Sequence, residues 1–174
     1  MAPANNRFLG KFRGRVTDNR DPLGLGRITA EVPDVLGRET STWALPCLPF
    51  TGRGSGQYVV PEIGSGVWIE FEQGDPSFPV WTGSWYGSVA ELPSDARAEV
   101  PGSHPVVVET PGGHKLVLSD LPGGTGILLR APGGAYVQID ERGVTISNGR
   151  GASVVLSGDE VDINNGRLIV PGSS

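Results

Sequence analysis

A single cysteine, Cys47, excludes an intrachain disulfide framework. It stands between prolines on no helical stretch, where nothing activates a thiol. Two histidines, His104 and His114, leave little for a catalytic triad. Ser119 and Asp120 lie near His114, but in a turn-and-strand repeat whose simplest role is structural. One cysteine and two histidines do not make a zinc site within one chain, although His114 would form a ring in a three-fold assembly. Glu70 and Glu72 stand two apart and could pose as a carboxylate pair; a solvent-facing pair on one strand is the simpler reading. No enzyme activity, cofactor or metal is expected. The glycine loops are equally uninformative. Gly-Leu-Gly at Gly24–Gly26 is followed by no helix, and GRGSG at Gly52–Gly56 lacks the Lys-Ser/Thr of a phosphate-binding loop. MAPANNRFLGKFRGR has no apolar run of signal-peptide length, and nothing is long enough to span a membrane. The expectation is a protein made in the cytoplasm without a signal peptide.

No ten-residue window shows a helical period, whereas Gly (27) and Pro (15) are abundant, so the chain reads as all-β. The formal charge is −5, divided as −1 over residues 1–90 (8 basic, 9 acidic) and −4 over residues 91–174 (6 basic, 10 acidic). An acidic second half argues against nucleic acid as a partner along it.

That second half is organised by turns. Between Pro105 and Val170, β-rich runs (Lys115–Ser119, Gly126–Arg130, Ala135–Asp140, Val144–Ser147, Val154–Ser157, Val161–Ile163, Leu168–Val170) alternate with Pro-Gly-Gly at Pro111, Pro122 and Pro132, then Arg-Gly, Asn-Gly, Ser-Gly and Asn-Asn-Gly. PGGHKLVLSD resembles PGGAYVQIDE twenty-one residues later, and apolar pairs from Val137 step by 7, 10, 7 and 7 residues. Within runs the apolar residues alternate, giving one apolar face: Leu116, Leu118, Val137, Ile139, Val144, Ile146, Val154, Leu156, Val161 and Ile163. Tyr136 is the one aromatic here, so a lone layer has little with which to cover that face. Self-association resolves this: three copies wound around one axis, an intertwined trimeric β-helix or β-prism with those ten residues as its core. A single-chain solenoid would need wider and more regular coils.

The first half reads as five or six short strands with long turns: Arg7–Val16, Arg27–Val32 (Ile28, Ala30 and Val32 inward), Thr42–Leu45, Gln57–Val60, Val67–Glu72 (Val67, Ile69 and Phe71 inward) and Val80–Trp85. This fits a small OB-like Greek-key barrel. Lys11, Arg13 and Arg15 alternate along the first strand as a solvated face or a contact for an acidic partner. The domains are then 1–88, an OB-fold barrel; 89–104, a linker; and 105–174, a β-helical spike.

Three strings carry a resemblance: GRVTDNRDPLGLGRITAEVP (Gly14–Pro33), WALPCLPFTGRGSGQYVVPEIGSGVWIEFEQGDPSFPVWTGSWY (Trp43–Tyr86) and TPGGHKLVLSD (Thr110–Asp120). Their most telling pieces are D-P-x-G-L-G-R, P-E-x-G-x-x-V-x-x-x-F-E-x-G-D-P-x-x-P-V and T-P-G-G-H-K. In family order over nearly the whole chain, they resemble the spike proteins of contractile injection systems, including VgrG of type VI secretion and phage baseplate assembly protein V. The resemblance implies a homotrimeric structural spike in a phage tail or phage tail-like particle. It lies beneath the inner tube and contacts a target membrane only during injection. The hub and lysozyme domains of larger relatives are missing, which implies a separate hub protein on the barrel side. No His-x-His metal tip closes the C-terminus. Leu168, Ile169 and Val170 are therefore expected to bind a separate PAAR-like tip protein. The alternative is an OB-fold module for oligosaccharide or single-stranded nucleic acid, stacking ligands on Trp43, Trp68, Trp81 and Trp85.

Overall fold

Alternation on one strand seeds the first unit. Within Phe12–Asp18 (β1), Gly14 and Val16 are buried while Arg13 and Arg15 face out. The structure, a computed structural model, describes residues 7–97 and 103–170. Residues 1–6 and the final PGSS lie outside them. Two compact units are present, 1–88 and 89–174.

In the first unit β1 is followed by Thr29–Glu31 (β2), the single helical turn Pro33–Leu36 (α1), Leu45–Pro46 (β3), the small hairpin Thr51–Gly52 (β4) with Ser55–Gly56 (β5), Gly66–Phe71 (β6) and Pro79–Trp85 (β7). The sheet runs β2-β1-β6-β7-β3, with β3 parallel to β7 and the other pairs antiparallel. Ile28 bridges to Ala44 and Glu31 to Thr40, joining the two ends of this order into a Greek-key barrel, the OB architecture. Its interior holds Val16, Ile28, Ala30, Val32, Ala44, Val67, Ile69, Phe71 and Trp81, all at most 6% exposed. The inward assignments on the second and fifth runs thus hold.

Some boundaries move. Gln57–Val60 is not a strand, since Gln57 follows a hairpin and the next strand begins at Gly66. The expected loop at Gly52–Gly56 is that hairpin. Pro33 starts a helical turn, because a proline at the first helical position lacks only an N–H that would go unpaired there.

The D-P-L-G-L-G-R turn is a knot built on one carboxylate. Asp21 accepts from the backbone N–H groups of Leu23, Leu25 and Arg27 and from the Arg27 guanidinium, at 2.6–3.2 Å. The Asp21 side chain is 3% exposed. The guanidinium lies 5.5 Å from the Trp43 ring centroid, and the Trp81 indole N–H donates to the Gly26 carbonyl. Arg27 holds the Asp21 carboxyl far below the ordinary carboxylate range, with the three backbone donors helping.

The second unit begins with two 3-10 turns, Val89–Glu91 and Ser94–Ala96, in the stretch expected to be linker. Arg97 donates to the carbonyls of Ala90 and Leu92, and Asp95 pairs with Lys115. So this part of the stretch is folded onto the second unit. Eight strands follow: Val106–Glu109 (β8), Lys115–Leu118 (β9), Ile127–Arg130 (β10), Tyr136–Asp140 (β11), Gly143–Ser147 (β12), Ser153–Ser157 (β13), Glu160–Ile163 (β14) and Leu168–Val170 (β15). Each pairs antiparallel with its sequence neighbours, giving one meander. Pro-Gly-Gly at Pro111 and Pro132 occupies equivalent turns, with Gly113 and Gly134 at φ of +83° and +88°, a region glycine enters without strain. The copy at Pro122 lies in a longer turn on the opposite edge, which is why the repeat is imperfect.

Replacing Asp21 with Ala is expected to lower the melting midpoint of the first unit by several degrees at pH 7. All four tryptophans lie in this unit, so their emission reports on it within the full chain. The Asp21 carboxyl is depressed in the fold. Its contribution is therefore complete above an unfolded pKa of about 3.9 and is lost as pH falls below that value. Between pH 5 and pH 2 the parent midpoint should fall further than that of Asp21→Ala; identical acid profiles would rule out this linkage.

Candidate functional site

Register converts the alternation of the second unit into two continuous rungs. One runs Val106–Leu118–Ile127–Ile139–Val144–Leu156–Val161–Val170. The other runs Val108–Leu116–Leu129–Val137–Ile146–Val154–Ile163–Leu168. Directly opposed residues in neighbouring strands share a face, so all sixteen side chains stand on one side of the sheet. Every one is aliphatic, and none is buried within the single chain. Leu129 is 52% exposed, Ile139 46% and Ile146 47%. An apolar face of this extent marks an interaction surface.

The other face differs. Its central row reads Val107, Val117, Leu128, Gln138, Thr145, Val155, Asp162 and Ile169. Val117 and Leu128 are buried, while Gln138, Thr145 and Asp162 make the later part polar.

All ten residues expected to form the core lie on the aliphatic face. Six more belong with them: Val106, Val108, Ile127, Leu129, Leu168 and Val170. The VVVE run, not among the expected strands, forms β8, whereas Ile127 and Leu129 stand inside a run expected to be a strand; register places all of them in the rungs. Leu168, Ile169 and Val170 do not act as one patch. Leu168 and Val170 end the two rungs, while Ile169 points to the opposite face. His114, exposed, lies beside the second rung at a hollow lined by Val108, Leu116 and Leu129.

The candidate cations of the first strand are engaged within the first unit. Lys11 donates to Glu70 and Thr82, and Arg15 donates to the Gly64 carbonyl. Glu72 opens a 3-10 turn, so it does not continue the strand that bears Glu70. Arg13 lies over both Trp68 and Trp85, at 5.7 and 5.3 Å from their centroids. Trp81 is buried. Among the described residues no group of three or more His, Cys, Asp or Glu is placed to hold a metal ion.

Two family models match, one within each unit. Residues 12–86 match the type VI secretion system/phage-baseplate injector OB domain. Residues 105–169 match the phage baseplate V C-terminal trimerisation domain. No curated protein matches the chain.

Ile139→Asp or Ile146→Asp places a carboxylate inside the covered face of every copy. The penalty of several kcal/mol per buried, unpaired ion is expected to abolish self-association at micromolar concentration. Thr145→Asp, one residue away on the opposite face, should leave the sedimentation profile unchanged. Normal assembly of both isoleucine variants would show that this face is not the one covered.

Proposed function

The chain belongs to the phage baseplate V family of injector proteins, and from that membership we propose that it is the trimeric central spike of a contractile injection machine. The baseplate family and its trimerisation domain assign the chain to an injector spike in a phage or tail-like particle and to self-association. The single observation that supports the trimeric spike most is the pair of unbroken aliphatic rungs across eight strands. Burying each half-exposed side chain contributes on the order of 1 kcal/mol. Three copies around one axis cover all three faces at once.

In this reading the barrel attaches to a separate hub protein and the far end receives a separate PAAR-like tip. The barrel fits an adaptor, being closed and self-sufficient in core. The far end fits a docking platform, because both rungs run to β15 with Leu168 and Val170 about half exposed. The role is mechanical: the spike transmits force to the target envelope and catalyses nothing. Contact with the target membrane comes only at injection.

The binding-module alternative gains little support from the tryptophans. Arg13 and Arg27 already stand over Trp68, Trp85 and Trp43, and Trp81 is interior. A base or sugar stacking on the ring faces those cations cover would have to displace them.

The full chain is expected to sediment at three times its 18.2 kDa mass. Removing residues 105–170 should leave a barrel that is monomeric or weakly associated. A chain lacking only Leu168–Ser174 should still form trimers and join the particle, but particle images should show a spike without its cone. A truncated barrel as tightly trimeric as the parent would refute the role given to the second unit. A complete point on particles lacking residues 168–174 would refute the tip assignment.

A further inference from the structure

An antiparallel meander places alternate turns on alternate lateral edges. The turns after β8, β10, β12 and β14 share one edge; those after β9, β11 and β13 share the other. The charges are sorted the same way. The first edge carries Arg130 where β10 ends, Arg150 in the turn after β12 and Arg167 in the turn after β14. The second carries Asp120, Glu141 and Asp159, one acid in each of its three turns. All six are exposed.

Most other charges near these turns are paired inside the chain, while Glu160, exposed at the start of β14, adds to the acidic edge. Lys115 pairs with Asp95 and Glu109 on the first edge, and Arg142 pairs with Asp140 on the second. Arg130 lies over the Tyr136 ring and within electrostatic reach of Asp95, and none of the six makes an ion pair among the described residues. The exposed charge without an ion pair thus forms a basic ladder along the first edge and an acidic one along the second.

The ladders match in pitch. Turns on the same edge are two strands apart, roughly 9.5 Å, and the two edges are offset by one strand, about 4.8 Å. That offset lies inside the screening length of about 8 Å at physiological salt.

We propose that the basic edge of one copy seats against the acidic edge of the next, so that charge fixes a parallel cyclic arrangement about an axis along the direction of strand stacking. This rests on the self-association reading above but adds what an aliphatic face does not specify. Rotation about such an axis brings opposite edges together, a heterologous contact in which the two sides are different surfaces. An antiparallel arrangement would set each edge against its own copy and oppose like charges. The seam therefore places every β15 at the same end.

The test uses three full-length variants. One carries Arg130→Glu, Arg150→Glu and Arg167→Glu; the second carries Asp120→Lys, Glu141→Lys and Asp159→Lys; the third carries all six. Circular dichroism checks that each remains folded. Exposed pairs are individually weak, but three reversed together should weaken association by about 100-fold or more at 50 mM salt. The six-fold variant should recover the parent mass. A milder pair, Arg150→Gln with Arg167→Gln, should flatten the salt dependence of parent assembly.

Either single-edge variant assembling as tightly as the parent at low salt would overturn the seam while leaving self-association intact. So would a folded six-fold variant that stays monomeric, or a glutamine variant with the parent's salt dependence. A parent chain that is monomeric at all concentrations would instead overturn the reading on which the seam rests.

Discussion

The second unit depends on one constraint: in a strand, successive side chains point to opposite faces. Eight short strands held in one register turn that into a face of sixteen aliphatic residues with nothing in the single chain to cover it. A slip of one residue at any pairing would send a strand's aliphatics to the opposite face. Register is therefore set by the turns. At Gly143, φ is +134°, and an added Cβ would collide with the Leu156 carbonyl oxygen. A side chain there would force β12 and β13 apart. Thus the glycines crowding this half of the sequence allow the close turns that keep the rungs continuous.

The two units solve burial in opposite ways. The barrel closes on itself, so Val16, Ile28, Val67 and Ile69 leave water without any second chain. Its outer cations find partners locally, Lys11 on Glu70 and Arg13 between two indoles. The meander does not close, and its aliphatic side must be covered from outside. One chain thereby combines a unit whose core is complete in itself with a unit whose aliphatic face is left for another copy to cover.

Much of this was legible in the sequence, because both units rest on period-two patterning. The inward residues of β2 and β6 and ten of the sixteen rung residues follow from alternation alone. What was missed needed three dimensions. β8 was overlooked because Val106, Val107 and Val108 form a run without alternation; its two faces separate only once β9 is paired to it. Gln57–Val60 has strand-like composition, but the neighbouring hairpin takes the chain out of the sheet. Leu168, Ile169 and Val170 read as one apolar patch until the strand splits them between faces. The D-P-L-G-L-G-R string was recognisable as a turn. That Asp21 gathers three backbone donors and a guanidinium depends on a fold-back that spacing does not reveal.

Apolar burial has no direction, so an aliphatic face by itself fits partners in either orientation. In the proposed assembly every β15 lies at the same end, which copies running both ways would not give. Orientation has to come from an interaction that distinguishes the two. Charge sorted by edge does so, since parallel copies bring opposite ladders together and antiparallel copies bring like ones together. The individual pairs are too exposed to supply much of the affinity. Their contribution is the difference between two arrangements that the aliphatic rungs alone leave nearly equal. On the proposed seam, affinity comes from the face and direction from the turns, and both follow from strands that alternate side chains across the sheet and turns along its edges.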